Sequence, residues 1–122
     1  MKSENPVVDK SKSFAIRIVK LYKYLCEEKK EYVLSKQILR SGTSIGANVK
    51  EAIRGQSKAD FIAKMSISLK EASETEYWLE ILHETDYLSD EQFNGIYMDC
   101  KELLKILTSI IKSSKGEKSI HN

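Results

Sequence analysis

The chain has 122 residues, 41% hydrophobic and 31% charged, with a net charge of only +2. That length makes one ordinary domain and can bury a real core without disulfide or metal staples. One Pro and five Gly among many Lys, Glu, Leu and Ile argue against a strand-rich or disordered chain and for an all-helical one.

The charge is unevenly divided. Residues 1–56 carry 12 Lys/Arg against 6 Asp/Glu, whereas residues 57–122 carry 8 against 12. A basic half and an acidic half suit pairing within or between chains, or a polar surface with one basic side. No apolar run approaches the ~18 residues of a membrane span. The opening MKSENPVVDKSKSF lacks the apolar region of a secretory signal, so the expected compartment is the cytoplasm. Cys26 and Cys100, without a CxxC spacing, read as reduced core residues.

The first predicted helix spans about 7–29. Asn5 as N-cap and Pro6 at the first helical position open it. Val7, Phe14, Ile18, Leu21 and Leu25 make its apolar face, widened by Ala15 and Tyr22. Its outer face is basic, with Lys12, Lys20 and Lys23. The charged run EEKKE ends it, and Ser35 is the expected N-cap of the second helix.

The second helix, about 36–54, carries the most information. Ile38, Gly42, Ile45, Val49 and Ala52 share one face. Two glycines lower helix propensity by ~1 kcal/mol each, yet the apolar period runs through them. Gly42 and Gly46 therefore read as small residues that let another helix come close. The GxxxG membrane reading fails, because charges break the run. The opposite face holds Lys36, Arg40, Thr43, Ala47, Lys50 and Arg54, four basic residues and no acidic one. That stripe is a solvated face, an anion-binding face or a surface for an acidic partner helix.

Gly55 stops the second helix, and Ser57 with Asp60 opens the third, about 58–86. So short a loop makes the two antiparallel neighbours. Phe61, Met65, Leu69, Ala72, Leu79 and Leu82 form the expected core face, with Glu76, Glu80 and Glu84 beside it. Ile67, Trp78 and Ile81 fall almost opposite, which predicts a second, oligomeric interface. Glu76 reads as a rim residue or as part of a polar network fixing helix register.

Ser89 and Gln92 form a capping box for the fourth helix, about 90–113. Phe93, Tyr97, Cys100, Leu104, Leu107 and Ile111 mark its core face, joined by Ile96, Leu103 and Ile110; residues 114–122 are a polar tail. Four amphipathic helices with short loops give a single domain over 1–122, an all-α, antiparallel up-down-up-down four-helix bundle.

Catalytic signals are missing from this pattern. Glu80 and His83 have the Glu-x-x-His spacing of di-iron bundles, but such a site needs a second copy, and the other histidine is His121 in the tail. Ser41 to Gly46 lacks the order of a phosphate loop. Neither a nucleophile motif nor an acid–base pair is evident. No enzyme, metal or cofactor is expected.

RSGTSIGANVKEA (Arg40 to Ala52), followed by SLKEASETEYWLEIL (Ser68 to Leu82), resembles a bacterial family. These are the four-helix-bundle proteins encoded by intervening sequences in 23S ribosomal RNA genes. The likeness runs from Ser13 to Ile111. The family is similar to the accessory variability determinant of diversity-generating retroelements, which works with a reverse transcriptase and binds nucleic acid through a basic surface. The resemblance implies homopentameric rings and brings no catalytic residues.

Two readings follow. The leading one is a non-enzymatic oligomer that binds structured RNA, DNA or a nucleic-acid enzyme. Its carriers are Lys36, Arg40, Lys50 and Arg54, supported by Lys12, Lys20 and Lys23, with self-association through Ile67, Trp78 and Ile81. The alternative is a protein-only scaffold whose basic stripe pairs with acidic helix 3 surfaces.

Overall fold

The structure, a computed structural model, describes residues 5–116. Four helices follow in chain order: α1 (Pro6–Glu27), α2 (Leu34–Ile53), α3 (Lys58–Glu84) and α4 (Asp90–Ser114). No strand occurs among the described residues. Each helix packs on its neighbour in sequence, and α4 closes back on α1 along the sparsest seam. This is the expected four-helix bundle. His121 and most of the polar tail lie outside the described residues.

Local chemistry sets the helix ends. Pro6 occupies the first turn of α1, where its missing N–H costs nothing. The Asn5 carbonyl accepts from the Val8 and Asp9 amides at 3.1 and 3.3 Å. Ser57 caps α3 by accepting from the Asp60 amide. Ser89 and Gln92 complete a reciprocal capping box on α4.

The start of α2 corrects the sequence reading. Ser35 is not the cap; it is wholly buried inside the first turn. Glu31 caps instead. Its carboxylate accepts the amides of Val33, Leu34 and Ser35 at 3.2, 3.0 and 2.7 Å. Lys30, in the left-handed region at φ 55°, turns the chain just before Glu31, whose carboxylate reaches forward to these amides. A carboxylate on three free N–H groups at a positive helix end meets the same need as a hydroxyl cap and adds charge. α1 consequently ends two residues earlier than expected, and α2 begins two earlier.

The core is one cluster. Phe14, Ile18 and Leu25 of α1 meet Ile38, Ile45 and Val49 of α2, Met65, Ala72, Leu79 and Leu82 of α3, and Cys100, Leu103 and Leu107 of α4. Burying each large side chain contributes roughly 1.5–3 kcal/mol. Those residues supply the stability. Buried hydroxyls supply register. Ser68 donates to the Ile45 carbonyl at 2.8 Å, and the hydroxyls of Thr75 and Ser41 are hydrogen-bonded at 2.8 Å. Each such bond is worth only about 1 kcal/mol net, but each forms at one axial setting of α2 against α3.

These hydroxyls also correct the placement of Trp78. With Ser68 and Thr75 buried, the buried face of α3 is turned toward the row Thr75, Trp78, Leu82. Trp78 is half-buried against the core rather than opposite it. Ile81 is half-buried as well, and only Ile67 of the three is exposed. On α4 the buried line is Ile96, Cys100, Leu103, Leu107 and Ile111, with Phe93, Tyr97 and Leu104 at its edge.

Candidate functional site

Two stretches of the bundle contain no Asp or Glu at all, residues 10–26 of α1 and residues 32–50 spanning most of α2. The helices are antiparallel neighbours, so the stretches lie side by side. They come close because the α2 glycines face α1. A Cβ on Gly42 would stand 2.7 Å from Ile18 Cγ1, and one on Gly46 would stand 3.2 Å from the Ser11 carbonyl oxygen. No side chain fits at Gly42 without moving a core isoleucine. At Gly46 the obstacle is backbone, which cannot rotate aside.

This approach leaves a shallow groove outside the contact. Its volume is about 490 Å³, and Val8, Ser11, Ala15, Gly46, Ala47 and Ile53 form its floor. Lys12 from α1, with Lys50 of α2 and Arg54 just past its end, stand around it, and no carboxylate lines it. The hydroxyls in the groove are already engaged. Ser11 Oγ donates to the Val8 carbonyl at 3.2 Å, and Thr43 Oγ1 to the Leu39 carbonyl at 2.7 Å.

The fold therefore gathers Lys12, Lys50 and Arg54 from the seven cations expected on this surface. Lys23 and Lys36 are exposed at the opposite end of the same helix pair. Lys20 lies on the α1 flank toward α4, in a crevice with Leu21, Tyr24 and Ile96. These six make no ion pair among the described residues.

Arg40 differs. It bonds Glu71 at 3.3 Å and also Glu74, both on α3. Trp78 Nε1 donates to the same Glu74 carboxylate at 3.0 Å. Hydrogen bonds from Trp78 and then Arg40 hold the Glu74 carboxyl below its ordinary range, and the Glu74 bond raises Arg40 further. Arg40 is a strut between α2 and α3, so the face presents one cation fewer than the helical wheel gives it.

The acidic half pairs partly with α1, where Arg17 meets Asp99 at 2.6 Å and Lys10 meets Glu102 at 2.9 Å, and partly within itself. His83 Nε2 meets Asp90 at 2.7 Å and its ring stacks on Phe93 at 4.1 Å; Phe93 stacks in turn on Tyr97 at 4.5 Å. Tyr97 donates to Glu80 at 2.7 Å, which pushes its phenol up to about 12. Glu76 pairs with Lys101 at 3.2 Å and has the place of a rim residue. Burial pushes the Cys100 thiol up to about 12, far from a reactive thiolate. His83 is thus a member of a surface ladder, and no metal-binding cluster occurs among the described residues.

Sequence reasoning missed the apolar floor. Its signal was present in the small residues Ser11 and Ala15 beside the α1 core face, facing Gly46 and Ala47. Nothing in one helix alone says which partner those small residues meet.

No helix among the described residues is long and apolar enough to cross a membrane. No curated protein matches the chain. A solved structure from Bacteroides thetaiotaomicron, described as a protein of unknown function from the S23 ribosomal protein family, is 62% identical. The likeness covers 87% of this chain and 98% of that one, with a TM-score of 0.86. Neither that description nor the matching family model names an enzymatic activity. The family model, "23S rRNA-intervening sequence protein", matches residues 3–109, and the chain accordingly belongs to that family.

Proposed function

We propose that this protein is a non-catalytic, oligomeric binding protein that holds the phosphates of nucleic acid on its α1–α2 face. One observation carries the reading: two adjacent acid-free helix stretches whose exposed Lys12, Lys50 and Arg54 surround one groove without a carboxylate. Lysine and arginine contacts to phosphate provide affinity without sequence readout. Lys20, Lys23 and Lys36 extend the field along the helix pair.

Self-association is part of the proposal, with five copies as the expected number. Exposed Ile67, with half-buried Ile81 and Trp78 on the same helix, supports a contact along α3. Repeating the groove around an oligomer multiplies weak contacts through effective concentration. Light scattering should give a mass several times 14.0 kDa.

The test is titration of labelled RNA and DNA. Three phosphate contacts correspond to a loss of about 20- to 40-fold in affinity between roughly 50 and 200 mM salt. Lys50→Glu with Arg54→Glu should abolish binding while leaving the oligomer intact. If wild type binds neither nucleic acid at low salt, the second reading takes over. That reading is a protein-only scaffold, and the pairing of Arg40 with the acidic side chains of α3 favours it.

A further inference from the structure

A belt of phosphates would touch only the rim of the α1–α2 groove. It gives no reason for an apolar floor of Val8, Ala15, Ala47 and Ile53 between the cations, with Ile53 47% exposed. The groove volume of about 490 Å³ falls within the range of small-molecule sites. Its occupant must be anionic at the edges, because three cations and no carboxylate surround it, and apolar where it meets the floor.

We propose that the groove takes an unpaired nucleotide, its base against the aliphatic floor and its flanking phosphates on Lys12, Lys50 and Arg54. The inference rests on the nucleic-acid reading of this face. A duplex keeps its bases stacked inside and can offer the groove nothing but backbone. A single strand, loop or bulge can turn a base outward. The floor holds no aromatic ring, so it forgoes the stacking that single-strand platforms use. The gain comes from removing base and aliphatic surface from water.

The chemistry also says what the site does not read. Ser11 and Thr43, the hydroxyl residues of the groove, have their protons on the Val8 and Leu39 carbonyls. Neither has a proton to offer a base edge. What remains to a base is an accepting lone pair, shape and apolarity, so discrimination among bases is slight.

Electrostatics alone points the other way, which makes the proposal sharp. A duplex carries more charge per length and releases more counterions per contact than a single strand. A purely basic face therefore binds duplex at least as tightly. An occupied groove reverses that order.

The experiment uses the full chain with an unstructured single-stranded RNA of mixed sequence and the duplex of that sequence, at one low salt concentration. The expected result is single strand over duplex by about fivefold, modest because ring stacking is missing. Ala47→Leu fills the groove from an exposed helix position. It should remove the preference while duplex binding persists; Ala15→Leu fills it from the other side, with helicity and mass checked for both. Ala47→Ser leaves the groove open and should behave as wild type. Duplex bound as tightly as single strand overturns the groove and leaves the basic face standing. So does a preference that survives both filled variants. Failure of both nucleic acids to bind overturns both readings. An acidic amphipathic peptide that binds wild type but not Ala47→Leu, with no RNA binding, assigns the groove to a protein partner instead.

Discussion

Between α1 and α2 the contact is made by missing side chains: Gly42 admits Ile18, and Gly46 admits the backbone at Ser11. Between α3 and α4 it is edged by rings, with His83, Phe93 and Tyr97 stacked in series and Lys101 over the Tyr97 face at 5.5 Å. The polar groups divide the same way. On α3–α4, Tyr97 meets Glu80, His83 meets Asp90 and Lys101 meets Glu76. On the outside of α1–α2, Lys12, Lys50 and Arg54 have no such partner. A helix pair joined through small residues is thin and leaves a groove. One joined through large rings fills its own surface. The bundle can therefore carry an open face and a closed one on a single core, and the proposed binding falls on the open face.

The largest expected effect breaks the glycine contact. Gly42→Leu places a side chain where even a Cβ would meet Ile18 at 2.7 Å. The cost should be ~3 kcal/mol, the upper part of the usual overpacking range, read as a lower denaturant midpoint with unchanged slope. Gly46→Leu should cost less, because its Cβ meets the Ser11 carbonyl oxygen at 3.2 Å, a milder conflict than 2.7 Å, and the rest of the side chain can turn outward from a half-buried position. A neutral Gly42→Leu would mean that α1 and α2 do not approach through this face.

Next comes the aromatic side. Phe93→Ala removes the middle ring of the ladder, which packs on both His83 and Tyr97. Phe93 is half-buried, so the loss should be about 2 kcal/mol, below that of a fully buried ring. Nucleic-acid binding should be unaffected, since the ladder lies outside the α1–α2 face. Loss of binding in a folded Phe93→Ala protein would move the functional surface to α3–α4.

The sequence showed most of this architecture and less of its chemistry. Apolar period, the Asn5-Pro6 start and the Ser89–Gln92 box placed all four helices, because these signals are local. Glu31 escaped because its carboxylate cap depends on a left-handed residue just before it, Lys30, that no propensity favours. Ser41, Ser68 and Thr75 escaped because a hydroxyl on a core face counts as polar until its partner on the next helix is known. That omission misplaced Trp78. The stripe itself was legible as charge, but Arg40 was legible only as a cation; its carboxylate partners lie 31 and 34 residues away.

Arg40 supplies a pH test of the boundary between the two faces. Trp78 and Arg40 both bind the charged form of Glu74, so its folded carboxyl lies below the ordinary range. The stabilisation is complete above the unfolded value of ~4.3 and is lost as pH falls through the depressed folded value. Trp78 is the only tryptophan, so its fluorescence reports the event directly. An emission change should follow acidification through the depressed Glu74 range, below the ordinary carboxylate value, and Glu74→Gln should remove it. The stability cost of Glu74→Gln at neutral pH should be ~1 kcal/mol or less, because Arg40 is half-exposed. An emission change unaltered by Glu74→Gln would detach Trp78 from this pair.

The smallest expected effect sharpens the comparison most. Lys50→Gln with Arg54→Gln removes two exposed cations that hold nothing in the fold. Glutamine keeps comparable helix propensity and a long polar stem, so the denaturant midpoint should stay at the wild-type value. A slight rise is also compatible, because the acid-free stretches place like charges near one another. Binding should behave quite differently. Two of the three cations around the groove are lost, so affinity for nucleic acid should fall and its salt dependence should flatten by about two contacts. Arg40→Gln is the matched control from the same helix. It should lower stability measurably through the lost strut and leave the salt slope of binding unchanged. Two variants on one helix, one acting on binding alone and the other on stability alone, would separate the open face from the frame that carries it. If Arg40→Gln flattens the salt slope as much as the double variant, Arg40 leaves its carboxylates when ligand arrives, and the face extends across α2 toward α3.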